Sequence, residues 1–164
     1  MWHTRRISSA FTAGAVLAAG ILLAPPAGAV DANARTVQDD VVRLTNAERQ
    51  KAGCPALTPV AALSQAAQNH SNDMAAHNFM NHTGSDGSSA VARVERSGYT
   101  GWHAVAENVA AGHQTAENVV SDWMSSSGHR ANILNCQLKE VGVGYATHPD
   151  STYGTYWTQD FGSR

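Results

Sequence analysis

The chain has 164 residues, 43% of them hydrophobic and 15% charged, enough for one globular core rather than two. Eleven Lys+Arg against thirteen Asp+Glu give a net charge of -2, so the chain lacks the basic field that holds nucleic acid or anionic lipid by electrostatics. Polyanion binding is thereby excluded as a function class.

Taken in chain order, Arg5 and Arg6 precede an uncharged run from Ile7 to Leu23, followed by Pro25, Pro26 and the small triplet Ala27, Gly28 and Ala29. This is the pattern of a secretory signal peptide over residues 1–29. The Arg5-Arg6 doublet also suits a twin-arginine signal, although Ile7, Ser8 and Ser9 fit that signal poorly. The apolar stretch from Phe11 to Leu23 falls short of the roughly 20 residues that span a bilayer. The expectation is an exported, extracellular protein without a transmembrane anchor. Residues 30–35 read as a short polar leader, and 36–164 as one domain.

Export would place Cys54 and Cys136, the chain's two cysteines, where thiols oxidise, and a disulfide between them is expected. It would close a loop of about 80 residues, stabilise the fold by about 4 to 5 kcal/mol on a chain-entropy model, and require α carbons less than about 7 Å apart. The alternative is a nucleophilic cysteine paired with a histidine.

Thr36 and Asp39 can cap a first helix, whose Val37, Val41 and Leu44 follow the 3.6 period up to Gly53. Thr58 followed by Pro59 reads as the cap and first residue of a second helix, with Leu63, Ala67, His70, Met74 and His77 on one stripe, ending near Asn78. After a glycine-rich turn, Ser88 can cap a short helix through Val91 and Val94. Tyr99 to Gly112 reads as irregular. Thr115 caps a helix carrying Val119, Val120, Trp123 and Met124, which ends at Gly128, and His129 begins a new turn. Val141, Val143 and Tyr145 then alternate with small residues, and Tyr153 to Phe161 returns as an aromatic strand. Helices first and a hairpin last indicate an α+β domain.

Zinc-protease, serine-hydrolase, phosphate-loop and dinucleotide motifs are absent. Eight histidines stand out, all but His3 beyond the leader. Imidazole is the usual neutral metal ligand, and its second nitrogen normally needs a carboxylate or carbonyl to fix the tautomer. Glu107 could be that carboxylate, or equally a helix-capping or salt-bridged one. His70 and His77, on the apolar stripe of the second helix, read as partly buried packing residues. His82 and His129 stand in loop-like positions, where site residues concentrate.

The segments Leu44-Thr45-Asn46 with Arg49, Phe79-Met80 with His82-Thr83, Ala106-Glu107-Asn108-Val109-Ala110, Trp123-Met124 with Ser126 and Gly128-His129-Arg130-Ala131-Asn132-Ile133-Leu134, Val141-Gly142-Val143-Gly144 and Tyr156-Trp157-Thr158-Gln159 with Phe161-Gly162 together resemble the CAP superfamily in its bacterial form. These are the cysteine-rich secretory, antigen 5 and pathogenesis-related proteins, built on the SCP domain. The resemblance runs from about Thr36 to Gly162. It implies a three-layer α-β-α sandwich with a small, mostly antiparallel sheet covered by helices on both faces.

The resemblance also implies a hollow built from two histidines and two glutamates, able to hold zinc or another divalent cation. His82 and His129 match the histidines and Glu107 one glutamate, whereas the second glutamate is replaced by Ser126. Two imidazoles completed by water would bind metal weakly and exchangeably, with Glu107 orienting an imidazole and Ser126 lining the cavity. Asn46 and Arg49 are expected to tie the first helix to a loop, and Trp123 and Trp157 to anchor the core. Gln159 could point either way. The leading functional reading is a secreted module binding a divalent ion or a small or lipidic ligand. The alternative is a metal-assisted extracellular hydrolase with Glu107 as general base, and a serine hydrolase using Ser126, His129 and Glu107 is a third.

Overall fold

The computed structural model describes residue 1 and residues 35–164, so all but the first residue of the signal peptide read over residues 1–29, and nearly all of the leader, fall outside the described residues. The elements are α1 (Val37–Lys51), β1 (Thr58–Pro59), α2 (Ala61–His77), α3 (Ala90–Arg96), β2 (Ala104–Ala111), α4 (Ala116–Ser125), α5 (Ser127–Ile133), β3 (Glu140–Thr147) and β4 (Thr155–Ser163). Among them no helix is long and apolar enough to cross a membrane.

The sheet runs β1-β3-β4-β2, with β1 parallel to β3 and the other two pairings antiparallel. Every residue of β4 is buried, because side chains alternate across a strand and both faces of this one are covered. On one face Trp157 and Phe161 join Val41 of α1, Val119, Val120 and Trp123 of α4 and Ile133 of α5 in the main core. On the other face lie α2 and α3, with Leu63, Ala66, Val94 and Tyr99 in one cluster and Met74, Val109 and Tyr156 in another. The α+β, three-layer expectation therefore holds. α2 can lie this close to β3 because Gly142 and Gly144 face it. A methyl group at Gly142 would stand 2.1 Å from the Leu63 carbonyl carbon.

Thr36 caps α1 through a reciprocal capping box with Asp39, and α2 ends on Asn78, whose φ of 53° is the left-handed cap asparagine tolerates. Cys54 and Cys136 form a disulfide with α carbons 5.0 Å apart. Trp123 and Trp157 are fully buried, each donating its indole N–H to a backbone carbonyl.

Four local expectations need correction. Thr58 and Pro59 do not start α2: Thr58 and Val60 donate their N–H groups to Lys139 and Val141, which makes the pair an edge strand where proline's missing donor costs nothing. The cap of α3 is Ser89, one residue beyond Ser88, with its hydroxyl accepting from the Ala92 N–H. The stretch from Tyr99 to Gly112 is not irregular throughout, since β2 occupies most of it, its residues pairing one to one with β4. His77 is not a packing residue, because it sits exposed in the last turn of α2 and pairs with Asp73 at 2.9 Å.

Candidate functional site

β2 is an edge strand, and the site is assembled around it. Val105, Glu107 and Val109 point toward α2 and α3, whereas Ala106, Asn108 and Ala110 point toward α4 and α5. Glu107 is thereby buried beneath the loop that follows α2, and His82 comes down from that loop to meet it. His82 Nδ1 lies 2.8 Å from Glu107 Oε1. Because the loop backbone could swing, its anchor matters: the fully buried His70 of α2 donates Nε2–H to the Asn81 carbonyl at 2.8 Å, next to His82. The expected packing histidine thus also pins the loop that carries the candidate residue His82.

The other oxygen of Glu107 accepts from Arg93 Nη2 at 2.5 Å, and the Arg93 side chain is itself only 7% exposed. Burial alone would raise the Glu107 carboxyl, but the His82 hydrogen bond and the Arg93 charge outweigh it and hold the group below the ordinary carboxylate range. In return, the hydrogen bond to Glu107 raises His82 above its ordinary value.

His129 arrives from the opposite side, in the first turn of α5. A chain of amides fixes its backbone to β2. Asn108 donates to the His129 carbonyl at 3.3 Å and to Gln159 at 3.2 Å, Asn132 donates to Asn108 and to the Glu107 carbonyl, and Gln159 donates to Thr45 of α1 at 2.8 Å. Gln159 is therefore a buried strut behind the site, not a cavity-lining group. Burial lowers the His129 pKa, and the His82 charge lowers it further. His129 Nδ1 is buried without a hydrogen-bond partner. Ser126 joins α4 to α5, and its hydroxyl makes no hydrogen bond to His129 or Glu107.

The structure thus brings His82, Glu107 and His129 to one edge of the sheet. Two residues of this cluster carry no signal in the motifs, Arg93 and Asp160. Asp160 is fully buried and directly opposite Glu107 in the β2/β4 register. An acidic residue inside the strand that carries Tyr156, Trp157 and Phe161 is the feature that could have exposed it.

Arg93 and His70 also form one wall of a cleft of about 340 Å³ between α2 and α3, whose remaining lining includes Gln65, Asn69, Ser85 and Arg96. Apart from Ala66, the residues that line it carry polar side chains.

Residues 42–161 match the model of the cysteine-rich secretory protein (CAP) family. The chain is 40% identical over 121 residues to the protein YkwD of Bacillus subtilis, covering 74% of this chain and 45% of that one. Among solved structures, an extracellular protein containing a SCP domain from Bacillus anthracis superposes with a TM-score of 0.69 at 29% identity, covering 78% of this chain and 40% of that one. An outer surface protein from Borrelia burgdorferi shares the fold, with a TM-score of 0.69 at 19% identity over 79% of this chain and 96% of that one. The chain spans less than half the length of the curated relatives it matches.

Proposed function

The chain belongs to the cysteine-rich secretory protein (CAP) family, and from that premise we propose that it is an exported binding module in which His82, oriented by Glu107, and His129 take a divalent cation such as zinc. Export is supported by the leader pattern of residues 1–29, by the Cys54–Cys136 disulfide, and by likeness to a Bacillus anthracis protein described as extracellular.

The observation that carries the metal reading is the His82 Nδ1 to Glu107 hydrogen bond of 2.8 Å. It fixes the tautomer and leaves Nε2 as the lone-pair nitrogen, the arrangement of a carboxylate-oriented metal histidine. The unpartnered Nδ1 of the half-buried His129 suits a second donor. Among the described residues no three His, Cys, Asp or Glu groups form a ready cage, so water or a ligand would complete the shell and binding would be weak. Bound there, a divalent ion would act as a Lewis acid toward a ligand oxygen.

Binding is favoured over hydrolysis by the state of Glu107. Both of its oxygens are engaged and its pKa is held low, which makes it a poor general base at neutral pH. The polar lining of the adjacent cleft supports a small polar ligand over a lipidic one. Calorimetry with zinc tests the reading: wild type should take up the ion and a His82→Ala/His129→Ala double variant should not. Equal uptake by both would overturn the site, and turnover of casein or peptidoglycan that is lost in Glu107→Gln would favour the hydrolase.

A further inference from the structure

Asp160 takes no part in the reading above, yet it is the most completely buried acid among the described residues. Its relative exposure is 0%, and neither of its oxygens has a hydrogen-bond partner among them. An ionised carboxylate in that position would lose its hydration with nothing in exchange.

The surroundings on every side are specific. Across β4, Asp160 is registered with Glu107 on β2 and with Gly142 on β3. Gly142 offers no side chain, and α2 presses on its backbone with Leu63 and Ser64. From α2 the titratable group of this layer is His70, whose burial favours the neutral ring. From α3 comes Arg93, whose Nη2 is bound to Glu107 and whose Nε is unpartnered; its charge lowers the Asp160 pKa, but less than burial and Glu107 raise it. The group that approaches the Asp160 carboxyl is therefore a second carboxyl, Glu107, which is anchored in its charged form by Arg93 and His82. Two carboxyls so placed cannot both ionise, and the one without a cation or donor keeps the proton.

We propose that Asp160 is a buried carboxylic acid that keeps its proton and donates an O–H hydrogen bond to Glu107, so that the pair carries a single negative charge and Asp160 positions the carboxylate gripping His82 and Arg93. No covalent bond changes: the proton stays on an Asp160 oxygen and the negative charge stays on Glu107. The assignment is independent of whether the hollow takes a metal. Burial and the Glu107 charge raise the Asp160 pKa well above its ordinary value, in agreement with the geometry. In this chain the second carboxyl of the cluster comes from a sheet strand, while the helix junction holds Ser126.

The test is infrared spectroscopy of the full chain at pH 7, with and without carboxyl-labelled aspartate. A band of a protonated carboxylic acid is expected, shifted by the label. Its absence, or its failure to shift, overturns the proposal without any variant being needed. Asp160→Asn should lose the band and should gain stability relative to wild type as pH rises from about 4, because the raised acid destabilises the native state there and the amide does not. A band that persists in Asp160→Asn, or a stability difference independent of pH, overturns the assignment to this residue.

Discussion

The guanidinium of Arg49 and the carbonyl of Ile133 lie 2.7 Å apart across 84 residues of sequence. The same side chain reaches the carbonyls of Pro55, Asn135 and Leu138 at 2.8 to 2.9 Å, and it is fully buried. No carboxylate is involved. Arg49 instead collects the orphan carbonyls where α5 ends and where the loop after α1 turns back, the groups that a helix terminus leaves without partners. It does so beside the disulfide, since the Cys54 N–H bonds the Arg49 carbonyl.

Replacing Arg49 with methionine should therefore cost about 3 to 5 kcal/mol, as expected when a buried hydrogen-bonded charge is removed from its partners. Lysine should recover only part of that, because an ammonium cannot present the planar fork that serves four carbonyls. Urea denaturation midpoints measure both, and a loss below about 1 kcal/mol for Arg49→Met would show that water replaces the arginine readily.

The disulfide spans 82 residues, so Cys54→Ala, Cys136→Ala and the double variant should each lose the same amount, about 2 to 5 kcal/mol. Thermal unfolding with and without reductant gives the comparison. Losses that add in the double variant would mean that the two sulfurs act separately.

Gly142→Ala should be among the most damaging single-methyl changes in the chain. The new atom would meet the Leu63 backbone at 2.1 Å, and only separation of α2 from the sheet relieves the clash, at a cost of about 3 kcal/mol or more. Circular dichroism melting of the variant would show a lowered midpoint or no folded state. Addition of a methyl at Gly128, where nothing lies within 4 Å, is the control and should be well tolerated.

Glu107→Gln removes the charge that raises His82, so the His82 titration followed by NMR should move down toward its ordinary value. That protonation stabilises the fold at pH below 6.5 and the contribution disappears as pH rises through the raised folded value. In the variant this pH dependence should vanish. Arg93 would also lose its carboxylate in a buried setting, at a cost of about 3 kcal/mol.

His70 and His129 act with the opposite sign. Burial lowers both below the unfolded value of 6.5, so the unfolded chain binds protons more readily. Stability is fully present above that pH and falls as pH drops toward the lowered folded values. His70→Gln keeps a donor for the Asn81 carbonyl and removes the titration, and its acid limb should be flatter in denaturation curves taken between pH 5 and 7.

Much of the fold was legible along the chain because the signals were local. The Thr36 and Asp39 capping box, the stripe of α2, the left-handed stop at Asn78 and the alternation of Val141, Val143 and Tyr145 each follow from chemistry within a few residues. β2 was not, because Ala104 to Ala111 is alanine-rich with Glu107 and Asn108 inside it, a poor strand by propensity, and it is pairing with β4 that makes it one. The family motifs singled out His82, Glu107 and His129 as residues, but not their contacts.

What the sequence by itself determined is the succession of helices and the C-terminal strand pair, the cysteine pair, the family and three candidate site side chains, which follow from residue type and spacing. Only the tertiary structure decided that Arg93 and Asp160 surround Glu107, that Gln159 is a buried strut behind Asn108, and that His70 holds the His82 loop. Those relations join residues that are far apart along the chain, and they exist because folding excludes water from a layer in which every remaining charge and polar atom must find its partner within that layer.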